Sequence, residues 1–249
     1  MATLGSSPPE APEVAPQLGS SPPGRERAPT VPQTGGVGNP GYFTSEDLLI
    51  DDTLPMLDRV VKYATAQMAL QRLVHVRMLG AAAAAVGPRA TLDRLIPLLP
   101  ALAVDQEFVV RKELAVQLPL LADVCVGRPA DAPAVDGGAL VLDGVHREGY
   151  EVVLHDILPL LSSLLADTAS GEVRSQAIQA VVAIAGGCIQ TADLAMHVLT
   201  IIIEFAGNDA SEERRMTAVE LLDALSPILK KDEMCRQFVV PTVVSLAED

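Results

Sequence analysis

From Thr44 onward, apolar residues fall at helical spacing along one face and polar residues fill the others. Val173, Ala177, Ala180, Val181 and Ile184 form one such stripe. Ala218, Leu221, Leu222 and Leu225 form a second, and Val198, Ile201, Ile202 and Phe205 a third. A period near 3.6 residues predicts amphipathic helices, and their succession predicts helix pairs joined by short turns.

Landmarks repeat along the same stretch. Segments 97–105, 159–167 and 241–249 each begin with Pro and reach Asp eight positions later. Residues 200–208 sit in the same frame, 41 positions after Pro159, and Pro55 stands 42 before Pro97. One interval measures 62, and its excess is assigned to 127–148, whose Pro, Gly and Asp content reads as an inserted loop. A second landmark, Val76-Arg77, Val110-Arg111 and Val173-Arg174, with Arg214-Arg215 in fourth place, leads into the second helix of each unit. Two-helix units of this size bury their apolar stripes only against neighbours. The expectation is therefore an all-α solenoid of about four helix pairs plus an incomplete fifth.

Local chemistry adds detail to this frame. Pro is expected to open each first helix, where its missing N–H costs nothing. Asp105, Asp167 and Asn208 stand where a short polar side chain can accept from free turn N–H groups. Gly186-Gly187 and Gly207 mark helix ends. Pro119 falls inside the second helix of unit two and predicts a bend or an earlier end there. The last residue, Asp249, occupies the turn position of a fifth unit, so a longer repeat protein is expected, of which this chain is a piece.

Residues 1–45 have a different composition. Pro, Gly, Ser and Ala dominate, and GSSPP occurs at 5–9 and again at 19–23. Such a leader buries too little apolar surface to offset its ordering entropy, so disorder is expected. It reads either as an unmodified low-complexity segment or as one carrying proline-directed phosphorylation at Ser7 and Ser21. The repeat region then runs from 46 to 249.

Composition narrows the class further. Apolar residues make up 49% of the 249, yet aromatics are 3% and Trp is absent, so the core is aliphatic and helical. A net charge of −14 repels phosphate backbones and argues against nucleic acid as a partner. The most apolar stretch, 177–189, is interrupted by Gln179 and Gly186-Gly187, so no membrane partner is expected. Cys125, Cys188 and Cys235 are widely spaced and odd in number, which suits a reducing compartment. The first residues carry neither a basic nor an apolar targeting region. A cytoplasmic location is expected, with the nucleus as the second compartment.

The sequence carries no catalytic or metal-ligand pattern. His75, His146, His155 and His197 form no paired ligand spacing, and His75 and His197 read as structural or surface residues of helices. Cys125 and Cys188 read as small buried hydrophobes. Gly35-Gly36-Val37-Gly38 lies in the leader and reads as linker, and the acids Glu46, Asp47, Asp51 and Asp52 as a solvated helix start. The expectation is a protein that is not an enzyme, with no cofactor and no metal.

A Pro-led first helix, Asp at the turn and Val-Arg in the second helix resemble the HEAT-repeat family over roughly residues 50–249. Within it, the chain is similar to the N-terminal part of the regulatory subunit 1 family of protein phosphatase 4, relatives of the protein phosphatase 2A scaffold subunit. The residues concerned are Leu57-Asp58-Arg59, Lys62-Tyr63-Ala64, 110–114 leading to Cys125, 157–159 with 165–167, Val173-Arg174, Ser226-Pro227 and 238–241. Unit one lacks the turn Asp, and unit four has Arg214-Arg215 in place of Val-Arg. The resemblance implies a non-catalytic regulatory or scaffold subunit that docks a phosphatase 4-type catalytic subunit and substrate proteins through its turns.

The turns are rich in acids. Asp105, Glu107, Asp167, Glu172, Asn208, Glu212 and Glu213 are the candidate docking residues, expected to line up as a ridge. Two readings stand side by side, a solvated edge that favours solubility and a docking ridge, which the resemblance favours. Arg77, Arg111, Arg174 and Arg215 are expected to bond to turn acids rather than to ligand. The alternative function is a transport or assembly adaptor binding protein cargo, but carriers of the armadillo kind line their concave helices with Trp, which this chain lacks.

Overall fold

The computed structural model describes residues 49–129, 140, 142–207, 210–229 and 235–247. The expected leader, Asn208, Asp249 and residues 130–139 and 141 of the expected insert lie outside the described residues. Within them the chain is all-α, with no strand.

The helices are α1 (Met56–Tyr63), α2 (Ala69–Val76), α3 (Leu79–Ala90), α4 (Leu99–Ala103), α5 (Phe108–Val126) and α6 (Gly144–Val152). They continue with α7 (Leu158–Leu165), α8 (Gly171–Gly187), α9 (Thr200–Phe205), α10 (Glu212–Leu225) and α11 (Val240–Ala247). The three apolar stripes seen in the sequence are all buried. Packing follows chain order: α2 and α3 lie against α5, α5 against α8, and α8 against α10. The shorter helices close over them, α4 on α5, α7 on α8 and α9 on α10. The core is Leu, Val, Ile and Ala, with Phe205 its largest fully buried side chain.

Pro55 stands at the N-cap of α1 as expected, but Pro97, Pro159 and Pro241 do not open their helical runs. One-turn π-helical segments, Thr91–Leu95, Val153–Ile157 and Cys235–Val239, precede Pro97, Pro159 and Pro241 inside longer helical runs. Proline cannot donate to the carbonyl four residues back, and its ring pushes that carbonyl away. A π turn widens the helix there and absorbs both effects. A fourth such segment, Ala195–Leu199, is followed by Thr200 and Ile201, so the bulge does not depend on proline alone. Pro88 also opens a helical piece. Gly87 before it, at φ +81°, breaks α3 into two helical pieces, a conformation that a side chain would strain.

Two further expectations need correction. Residues 144–148, assigned to the inserted loop, belong to α6, whose glycines look like turn residues in the sequence. Gly149 is there because α6 crosses close to α5, and a Cβ at this position would collide with the Cys125 carbonyl oxygen. Pro119 does not end α5 early, since the helix continues to Val126. The second helix of unit one is instead interrupted at Arg77-Met78. The Gly80 N–H just beyond donates to Gln117 Oε1 at 3.0 Å, so the interruption leaves that buried donor satisfied from α5.

Candidate functional site

Helix α1 joins α2 through residues 64–68, α4 joins α5 through 104–107, α7 joins α8 through 166–170, and α9 joins α10 across 206–211. Each turn is organised by side chains that fold back on it. Asp105 Oδ1 accepts from the Glu107 N–H at 2.9 Å, and Asp167 Oδ1 accepts from those of Ala169 and Ser170, both at 2.9 Å. Short carboxylates thus satisfy the free donors at the starts of α5 and α8.

The same carboxylates also reach across to the second helix of the preceding pair, α2 for Asp105 and α5 for Asp167. Arg72 of α2 donates from Nε and Nη2 to Asp105 at 2.6 and 2.8 Å, a two-point fork. Its Nη1 donates to the Ala66 and Gln67 carbonyls of its own turn at 3.0 and 2.8 Å. Arg111 of α5 repeats this one step along: Nε to Asp167 Oδ2 at 2.6 Å, Nη1 to the Asp105 carbonyl at 2.6 Å. Arg174 Nη1 donates to the Asp167 carbonyl at 2.6 Å, and Arg215 Nη1 to that of Ala210. Each Arg thus holds its own turn, and Arg72 and Arg111 also hold the next. Burial pushes the carboxyl groups of Asp105 and Asp167 up, but the Arg72 and Arg111 hydrogen bonds and the turn N–H groups outweigh it and hold both below the usual carboxylate range.

This arrangement sorts the candidate docking residues. Asp105 and Asp167, expected on the ridge, turn inward with side chains only 6% and 7% exposed, because the Arg fork and the turn amides claim their oxygens. Glu107, Glu172, Glu212 and Glu213 are exposed. Glu172 pairs with Lys112 at 2.6 Å. Glu212 and Glu213 lie in the first turn of α10, behind Ser211, whose hydroxyl accepts the Arg214 N–H at 3.4 Å. Asn208 lies outside the described residues.

Sequence reasoning missed Arg72. Arg77, taken as the first of the recurring arginines, bonds Glu113 of α5 at 3.0 Å and no turn acid. The Val-Arg dipeptide was the misleading landmark. Spacing from the turn is the better one, since Arg72 follows Ala66 by six residues and Arg111 follows Asp105 by six.

Between the first two turns lies a cleft of about 490 Å³, bordered by Thr65, Gln67, Ala69, Val104, Gln106 and Glu107. A second, of about 450 Å³, lies between the starts of α8 and α10, with Arg174, Glu213 and Met216 on its walls.

The remaining reactive side chains are placed as follows. His75 is buried, its Nδ1 2.7 Å from the Gln71 carbonyl and its ring stacked on Tyr63. His155 meets Glu151 at 3.3 Å and the His197 ring edge-on at 5.5 Å between centroids. Burial pushes the Cys125 thiol up to about 12. The Cys188 thiol is pushed up too, by burial and by Asp123, whose Oδ1 accepts from it at 3.3 Å. Among the described residues, no three His, Cys, Asp or Glu side chains gather as metal ligands do, and no helix is long and apolar enough to cross a membrane. No protein-family model matches the chain, and no curated protein matches it.

Proposed function

We propose that this chain is a HEAT-type solenoid acting as a non-catalytic regulatory or scaffold subunit of a protein phosphatase 4-type serine/threonine phosphatase. The observation that carries the docking part is the Arg72–Asp105 and Arg111–Asp167 series. It joins the turns at 64–68, 104–107 and 166–170, beside which Glu107 and Glu172 are exposed, and Glu212 and Glu213 are exposed at the start of α10. A surface built that way has a fixed register, so a partner meets it with little ordering cost. The choice of a phosphatase catalytic subunit as partner rests on the family resemblance of residues 50–249. In this reading the chain makes and breaks no bond, and it positions the catalytic subunit and its substrates.

The test is a titration of the full chain against isolated phosphatase 4 and phosphatase 2A catalytic subunits at two salt concentrations. Micromolar or tighter binding supports the reading, provided neutralising Glu107, Glu172 and Glu212 weakens it most at low salt. Failure to bind either subunit, with the helical circular dichroism intact, overturns it.

A further inference from the structure

The turn edge is not uniform. The residue before the turn Asp is Val104 in one turn and Ala166 in the next. The residue that opens the following helix is Phe108 in α5, Gly171 in α8 and Glu212 in α10. Around the first two turns exposed apolar side chains stand beside Glu107, whereas the starts of α8 and α10 display Glu172, Glu212 and Glu213 with Met216. Val104 is 77% exposed, Leu70 65% and Phe108 40%. Val104 lines the 490 Å³ cleft itself, and Leu70 and Phe108 are exposed one residue beyond its walls at the starts of α2 and α5, so the apolar surface at the cleft is Val104 with these two as its flanks.

We infer that this cleft is the anchor point for an extended segment of a partner protein carrying a bulky apolar side chain beside Lys or Arg. The charge around the cleft selects the occupant. Its one basic wall residue, Arg72, spends Nε and Nη2 on Asp105 and Nη1 on two turn carbonyls. Glu107 on the rim is exposed and follows the fully engaged Asp105 by two residues. Arg72 attracts Glu107 through space but gives its hydrogen bonds to Asp105 and the turn carbonyls, so a partner cation adds a direct bond to this carboxylate, on a chain of net charge −14. A second copy of the chain, an anionic bilayer or a nucleic acid would each bring more negative charge to this point, whereas a basic segment is drawn to it. The apolar residue enters beside Val104 and Phe108, and its basic neighbour faces Glu107. This inference rests on the scaffold reading only in placing the contact on the turn edge, and it names the chemistry of what docks there.

A random peptide library displayed on phage, selected against the full chain, tests it directly. The expected consensus pairs a bulky apolar residue with Lys or Arg. A synthetic peptide of that consensus is expected to bind Val104→Ser and Phe108→Ser about tenfold more weakly than wild type. Glu107→Gln is expected to lower its affinity at low salt and to have little effect at high salt. These side chains are exposed, so unchanged circular dichroism is expected, and Leu70→Ser provides a further variant at the same cleft. No enrichment, an acidic or purely apolar consensus, or binding indifferent to both Ser variants overturns the inference. The two proposals separate cleanly. Catalytic-subunit binding together with no peptide enrichment, or with peptide binding indifferent to Val104→Ser and Phe108→Ser, defeats this one alone. Peptide capture without catalytic-subunit binding defeats the phosphatase reading alone.

Discussion

Arg111→Ala removes one strut of the turn series and tests whether it holds the array together. Arg111 and Asp167 are 11% and 7% exposed, so the pair is largely out of water. Removing the guanidinium leaves the Asp167 carboxylate buried beside an empty site. Leaving one buried ion of a pair unpaired costs about 3–5 kcal/mol. Asp167 keeps the Ala169 and Ser170 N–H groups, which places this variant at the low end, about 3 kcal/mol. Arg77→Ala is the control. Arg77 is 60% exposed and pairs with Glu113 at 3.0 Å, and exposed pairs contribute less than about 1 kcal/mol. Urea unfolding of the full chain, followed by far-UV circular dichroism, compares the two. The pH dependence gives a second reading. Both Asp105 and Asp167 are held below their ordinary carboxyl value of 3.8, so the stability they contribute is present above about pH 4. It is lost as pH falls further, through the folded-state values, and the gap between wild type and Arg111→Ala narrows over that window. Equal losses from Arg111→Ala and Arg77→Ala at pH 7 would refute the claim that the inward Arg–Asp pairs hold successive turns together.

Two other outcomes are expected. Gly149→Ala pushes a methyl group into the Cys125 carbonyl, which belongs to backbone and cannot swing aside, so the melting temperature falls by an amount matching about 2–3 kcal/mol. Gly171→Ala places its methyl 3.6 Å from the Arg174 side chain and is expected to leave the melting temperature nearly unchanged. Iodoacetamide at pH 8, read by mass spectrometry, is expected to leave Cys125 and Cys188 unmodified in the native chain and to label both in urea. Both thiols are buried, and burial keeps them protonated far above that pH.

The apolar stripes were legible in the sequence because one buried face imposes a period that the sequence must carry. The stripes led by Val173, Ala218 and Val198 are all in the core. The turn acids were legible as turn residues because Asp at a helix start has a local job. What each acid's second oxygen does was hidden. It depends on an Arg from the second helix of the preceding pair, 33 positions away for Arg72 and 56 for Arg111, and a period blurred by an uneven interval does not reveal that pairing. The π turns were hidden for a related reason. Pro at a helix start and Pro after a π turn look the same in sequence, and only the helical run before Pro159, through α6, separates them. The start of α6 was missed because it opens on Gly144, at φ +44°, straight after a Gly- and Asp-rich stretch that reads as loop.

The division of labour in the turns follows from the geometry of a single residue. When Asp105 accepts the N–H of Glu107, its carboxylate is pulled over the turn toward α2, where Arg72 meets it. Val104 on one side and Glu107 on the other stay exposed. Asp167 repeats the pattern with Ala169 and Ser170, and Glu172 is the outward acid. Inward residues therefore set the spacing of the turns, and their outward neighbours set what the edge displays. Substitutions at Asp105, Asp167, Arg72 or Arg111 should act on stability, whereas those at Val104, Phe108, Glu107 or Glu172 should act on binding at constant stability. The outward residues can therefore differ between turns, Val104 and Glu107 at one and Glu172 at the next, without disturbing the Arg–Asp pairs beneath them.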